Sequence, residues 1–295
     1  MSHYPVQPDE VIRLWPDGPP TVVPNVGPEI QFSGPVGVAG GAVMLRNVSD
    51  PTLAVFPPTN GKPNGVGVIV VPGGGWTLLA WEHEGTDAVK WLTANGYTAF
   101  LLKYRVQGSP PTQEGYDAMM MEVYAKIDLT RTAKTAYRAM GEIIDTPQIR
   151  AARAACADDG RRAIAIVRER AAEWSVDLAK IGMLGFSAGA FLTADVALDP
   201  RAPPLAFVAP IYGGETLGRP VPADAPPLFT ALAQNDALLY RVVEGLYADW
   251  TDAGRSAEMH IYRRGEHGFG MVKQGLPSDG WTRLFEEWLA DLGFG

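Results

Sequence analysis

The chain has 295 residues, 46% of them hydrophobic and 20% charged, and a net charge of −8. That is the balance of an ordinary globular protein, and one α/β domain holds this length. The acidic balance argues against nucleic acid as a partner. Cys156 is the only cysteine, so no intrachain disulfide forms. No apolar run reaches the roughly 18 residues of a membrane span, so no membrane partner is expected. Residues Met1 to Pro8 lack the basic start and apolar core of a signal peptide, and a cytoplasmic protein is expected.

The first 60 residues are rich in proline and glycine. They read as an N-terminal arm with edge strands, one of them around Leu53-Ala54-Val55-Phe56. The rhythm changes at Gly65-Val66-Gly67-Val68-Ile69-Val70-Val71, a continuous apolar run suited to a strand covered on both faces. A helix from about Glu82 to Ala94 follows, stopped by Asn95-Gly96. Tyr97–Lys103 is the next strand, and later strands are expected at Lys180–Phe186, Leu205–Ile211, Pro227–Ala233 and Ala257–Tyr262. Helices fall between them, at about Asp159–Trp174, Ala188–Leu198, Leu238–Asp252 and Trp281–Leu292. Strands alternating with helices predict an α/β fold with a mainly parallel, doubly wound sheet. Sites in such sheets lie at the carboxyl ends of the strands.

The stretch from about 107 to 157 breaks this rhythm, because connections in α/β units usually take about 2–6 residues. It contains Met119-Met120-Met121, Tyr124 and Ile127, and it reads as mostly helical. Two roles fit it: a decoration on the rim, or a cap whose methionines, adaptable apolar side chains, line the site opposite Trp76. A third is a contact between copies of the chain in a homo-oligomer.

Gly185-Phe186-Ser187-Ala188-Gly189 carries the most chemical information. The pattern G-x-S-x-G lies between an apolar strand and a helix, where a sharp turn exposes the serine hydroxyl. The free N–H groups and positive dipole end of the helix lie beside it. A serine hydroxyl is a weak nucleophile until a base takes its proton. Of four histidines, only His267 follows the last strand in a glycine-flanked loop, Gly265-Glu266-His267-Gly268-Phe269-Gly270; His260 and His83 are the reserves. The acid is expected at Asp236, after the strand that ends at Ala233, where it would orient His267. Its competing reading is a helix cap for the segment from Leu238. Asp224, Asp249 and Asp252 fit less well, the first in a proline-rich loop and the others on a helix.

Pro72-Gly73-Gly74-Gly75-Trp76 directly follows the strand that ends at Val71. A glycine-rich loop offers backbone N–H groups to the negative charge that acyl transfer builds on a carbonyl oxygen. The oxyanion hole is therefore expected from Gly74, Gly75 or Trp76, joined by Ala188. No Gly-Lys-Ser/Thr follows, no G-x-G-x-x-G opens a helix, and no metal-ligand spacing occurs, so no cofactor or metal is expected.

These motifs, with Arg13-Leu14-Trp15-Pro16-Asp17-Gly18, Arg46–Leu53, Glu84-Gly85-Thr86, Trp91-Leu92, Lys103-Tyr104-Arg105 and Pro210-Ile211-Tyr212-Gly213, resemble the α/β-hydrolase esterases of the acetyl xylan esterase type, relatives of the hormone-sensitive-lipase group. The resemblance covers nearly the whole chain outside 107–157. It implies a single α/β-hydrolase domain. It also implies a serine esterase with roles for Ser187, Asp236, His267 and the loop after Pro72. Proline at 72 replaces the histidine of the lipase relatives, and Asn235 stands where a second aspartate is expected. The expected substrates are small short-acyl esters, acetylated sugars favoured over polymeric xylan. An amidase, lactonase or peptidase with the same triad is the alternative, and a non-catalytic binding protein on this fold is the remaining one.

Overall fold

The computed structural model describes residues 6–36, 39–59 and 61–294. His3 and the rest of Met1–Pro5 lie outside them. The arm supplies four strands: β1 (Glu10–Arg13), β2 (Ile30–Val36), β3 (Ala39–Arg46) and β4 (Thr52–Phe56). Then come β5 (Gly67–Val71) and the short β6 (Leu78–Leu79). A π-helical turn, Glu82–Thr86, runs into α1 (Asp87–Ala94), followed by β7 (Thr98–Lys103) and α2 (Gln113–Tyr124). The long α3 (Pro147–Arg170) leads to β8 (Ile181–Phe186) and α4 (Ala188–Ala197). The chain closes with β9 (Phe207–Ile211), β10 (Leu228–Ala233), α5 (Tyr240–Asp252), β11 (Ala257–Tyr262) and α6 (Trp281–Asp291).

Eight strands form one sheet in the order β1-β4-β7-β5-β8-β9-β10-β11. β1, β4 and β7 pair antiparallel, and every pairing from β7 to β11 is parallel. The apolar run of β5 is fully buried at the centre, as its β-branched composition requires. Val71 pairs with Gly185 and Phe186 with Ile211, so β5, β8 and β9 end side by side. This is the α/β-hydrolase arrangement, a mainly parallel sheet flanked by helices. β2, β3 and β6 make a second, antiparallel sheet that ties the arm to the segment just after the glycine loop.

Two expectations need correction. The core helix begins at Pro147, not near Asp159, so the interruption of the α/β rhythm is shorter than 107–157. Thr146 caps it, its side chain accepting the Ile149 N–H at 3.2 Å, and Pro147 takes the first turn where its missing N–H costs nothing. The methionines do not line a pocket with Trp76. They sit on α2, where Met121 is 73% exposed. That helix is anchored instead by Tyr116, packed on Phe32 and under the Arg46 guanidinium. Trp76 is itself buried and packs against Phe191.

A buried ion pair locks three parts of the chain together. Arg105, just past β7, meets Asp159 of α3 at 2.7 Å, and both side chains are almost wholly buried. The Asp159 carboxylate also accepts the Arg105 backbone N–H at 3.0 Å and the Trp15 indole N–H of the arm at 2.7 Å. Arg105 donates further to the carbonyls of Ala155 and Thr21. Deleting one partner leaves a buried charge unpaired. Asp159→Ala should therefore lower the unfolding free energy by about 3–5 kcal/mol, measured by urea denaturation.

Candidate active site

Ser187 stands between β8 and α4 with φ 48° and ψ −116°, a backbone conformation that L-residues rarely hold. Its N–H is fixed on the Ile211 carbonyl at 3.0 Å. The strand delivers the residue and the helix starts immediately, so the side chain is turned outward from the sheet edge.

His267 comes from the loop after β11, and its Nε2 lies 2.8 Å from Ser187 Oγ. Its Nδ1 lies 2.8 Å from Asp236 Oδ2. A carboxylate at Nδ1 demands the Nδ1–H tautomer, which leaves the Nε2 lone pair facing the serine hydroxyl. The His267 loop is held from outside the triad. Asn235 Oδ1 accepts the Glu266 N–H at 3.1 Å, and the Trp281 indole donates to the Gly270 carbonyl at 2.8 Å. Asn235 thus has a use of its own where a second aspartate was expected.

Asp236 does both jobs weighed for it. Oδ2 faces His267, while Oδ1 accepts the N–H groups of Leu238 and Leu239, each at 2.9 Å, at the approach to α5. The other carboxylates and histidines lie elsewhere in the bonding pattern. Asp249 accepts from Thr216, and His260 on β11 pairs with Glu258 at 2.6 Å. His83 is buried in the π-helical turn, with neither ring nitrogen hydrogen-bonded. Cys156 is buried within α3, and burial raises its thiol pKa far above the ordinary value, so it supplies no thiolate.

The glycine loop meets the nucleophile directly. A Cβ at Gly73 would fall 2.8 Å from Ser187 Cβ, 2.7 Å from the Phe186 carbonyl and 2.6 Å from Glu84 Oε2. Only glycine fits there. The Gly73 N–H is spent on Glu84 Oε2 at 2.8 Å. Gly74 turns the loop, its carbonyl accepting the N–H groups of Thr77 and Leu78 at 3.1 Å. Beyond Gly75 a side chain would meet open space. Ala188, the first residue of α4, has no intrahelical partner for its N–H. Of the expected donors, Ala188 directly follows Ser187, while Gly74, Gly75 and Trp76 follow the Gly73 that meets it.

Sequence reasoning assigned no role to Glu84. It is 2% exposed and accepts both the Gly73 N–H and, at 2.7 Å, the Tyr212 hydroxyl. Tyr212 in turn sets its ring edge-on to His267 at 5.2 Å. Burial works against a charged His267 ring. The charge and hydrogen bond of Asp236, with the charge of Glu84, outweigh it, and the pKa is raised above the ordinary histidine value.

Among the described residues no group of three or more His, Cys, Asp or Glu could hold a metal ion, and no helix is long and apolar enough to cross a membrane.

Residues 105–283, more than half of the chain, match the family model of the dienelactone hydrolase family. The chain belongs to that family. An acetylxylan esterase from Xylanibacter ruminicola is 24% identical over an alignment of 275 positions, which covers 82% of this chain and 47% of that protein. The chain thus spans about half the length of that relative. Among solved structures, an acetyl ester-xyloside bifunctional hydrolase from Caldicellulosiruptor lactoaceticus superposes with TM-score 0.65 at 22% identity, covering 98% of each chain. Thermogutta terrifontis esterase 2, phosphorylated by paraoxon, superposes with TM-score 0.57 at 19% identity, over 92% of this chain and 96% of that one. These likenesses bear out the α/β-hydrolase fold.

The raised pKa of His267 has a measurable sign. Followed by NMR, its imidazole should titrate above the ordinary value of about 6.5. Asp236→Asn should bring it down, because the largest favourable charge is removed. A midpoint unchanged by that substitution would show that Asp236 does not set it.

Proposed function

We propose that the protein is a serine carboxylic-ester hydrolase of the acetyl-esterase type, built as one α/β-hydrolase domain and working through an acyl-enzyme. The observation that carries this reading is the continuous chain of hydrogen bonds from Ser187 through His267 to Asp236, with the serine on a strained strand-to-helix turn. Ser187 Oγ attacks the ester carbonyl carbon as its proton passes to His267 Nε2. Asp236 holds the resulting imidazolium. The carbonyl oxygen, now an anion, accepts N–H groups of the loop Gly74-Gly75-Trp76 and of Ala188. When the intermediate collapses, the alcohol leaves with the Nε2 proton. Water then attacks the acyl-serine, Nε2 takes its proton, and the acid departs as Ser187 is restored.

The names of the relatives, an acetylxylan esterase and an acetyl ester-xyloside hydrolase, support acetylated sugars as the substrate class. The family's own name favours a lactone as the second reading. An endocyclic ester would pass through the same steps, its leaving alcohol staying tethered to the acyl group. The cap proposed over the site uses the later part of the 107–157 segment. Met140 and Ile144, before α3, border a cavity of about 530 Å³ together with Trp76, Arg153, Asp195 and Glu215.

Ser187→Ala should lower kcat for p-nitrophenyl acetate by about 10⁶-fold with the fold intact. Paraoxon should phosphorylate the wild type at Ser187 and leave the variant unlabelled by mass spectrometry. Activity within tenfold of wild type would overturn the assignment. Ile144→Ala should change the preference among p-nitrophenyl chain lengths by about 10-fold or more, while Met120→Ala and Met121→Ala leave it unchanged. Chain-length profiles of the three variants check this.

A further inference from the structure

We propose that Glu84 is a positioning residue that joins the oxyanion loop to the base. The inference rests on the triad reading above. Glu84 is buried, yet its carboxylate is fully employed by two groups from opposite sides of the site. Oε2 takes the Gly73 N–H at 2.8 Å, and Oε1 takes the Tyr212 hydroxyl at 2.7 Å. Gly73 touches Ser187, and the Tyr212 ring touches that of His267. One carboxylate therefore sets the spacing between the loop beside the nucleophile and the aromatic wall beside the base.

The same acid is packed under the His267 loop. A Cβ at Gly270 would fall 3.2 Å from Glu84 Cγ and 2.8 Å from the His83 carbonyl, and that carbonyl accepts the Met271 N–H at 3.0 Å. The loop that carries the base is thus seated on the π-helical turn that carries Glu84. A π-helical turn presents successive side chains differently from an α-turn, and such turns recur at functional sites. Here it places Glu84 inward and lets Glu82 accept the Val43 N–H at 2.8 Å, on the second sheet.

The titratable groups around His267 come from four places. Asp236 lies after β10, Glu84 and His83 on the π-helical turn, Tyr212 after β9, and Glu266 on the histidine's own loop. Tyr212 stays a neutral donor, because burial and then the neighbouring Glu84 raise its pKa well above that of a free tyrosine. His83 Nε2 is 3.9 Å from Glu84 Oε1. Asp236 and Glu84 are therefore the two buried anions that favour the imidazolium.

Glu84→Gln keeps the shape and one acceptor oxygen for the Gly73 N–H, turns the other position into an NH2 that can only donate to the Tyr212 oxygen, and removes the charge. It should lower kcat for p-nitrophenyl acetate by about 10- to 100-fold, with KM changed less than about threefold, as expected for misplaced reacting groups. The midpoint of kcat/KM against pH should fall, since a favourable charge is lost. Tyr212→Phe keeps the charge and deletes one anchor. It should lower kcat and leave the midpoint where it is. Wild-type kcat and midpoint in Glu84→Gln overturn the proposal. If that variant does not fold, an unaltered kcat in Tyr212→Phe does so. Ser187→Ala runs alongside: activity there sinks the esterase reading itself, whereas an inactive Ser187→Ala with an unaltered Glu84→Gln sinks only the role of Glu84.

Discussion

The start of α4 packs so tightly on the end of β5 that a side chain on residue 189 would begin only 2.1 Å from the Val71 carbonyl oxygen. Gly189 permits that approach, and the geometry of the site follows from it. With helix and strand in contact, Ser187 is forced into a positive φ at the rim. The loop leaving β5 must then pass directly over it, and Gly73 meets Ser187 Cβ. Gly73, at the start of the loop proposed for the oxyanion, is thus held against the nucleophile by packing between two elements, with no flexible reach. That is the kind of preorganisation that lets dipoles act without reorganising during reaction.

Much of this was legible in the chain because the physics behind it is local. Val68-Ile69-Val70-Val71 reads as a buried strand since nothing in it needs water, and strand order then fixes which loops face one another. Ser187, Asp236 and His267 could be chosen because each follows a strand that ends on the same edge. The start of α3 was misplaced although its signal, Thr146-Pro147, was present, because the alanine- and arginine-rich stretch after it shows no clear apolar stripe. The methionines of α2 misled for the opposite reason. An apolar triplet suggests a wall, but one buried side chain, Tyr116, suffices to seat that helix and leaves Met121 in solvent.

Glu84 was illegible for a different reason. Its partners stand 11 and 128 positions away, and its inward direction depends on a π-helical turn that no local periodicity announces. The same holds for Asn235, whose value lies in one backbone N–H of a loop 31 residues on. Nucleophile, base and acid are separated along the chain too, but they carry residue types that advertise their chemistry. Bracing residues carry no such mark, and only the fold reveals them.

The two buried carboxylates near His267 impose opposite demands on pH. They hold the folded-state pKa of the ring above its unfolded value, so the ion pair contributes its full stabilisation below the unfolded pKa and loses it as pH rises through the folded pKa. A general base works only after that proton has gone, so the proposed activity grows over the same interval in which the pair's contribution to stability fades. The site is therefore most tightly knit where it is least active. What keeps it assembled in the working form must be interactions that do not titrate with His267. These are the Asp236 bonds to Leu238 and Leu239, the Asn235 bond to Glu266, the Trp281 bond to Gly270, and the closure of Glu84 on Gly73 and Tyr212. Each is anchored in backbone or buried hydroxyl, and together they fix the geometry after the imidazole has become neutral.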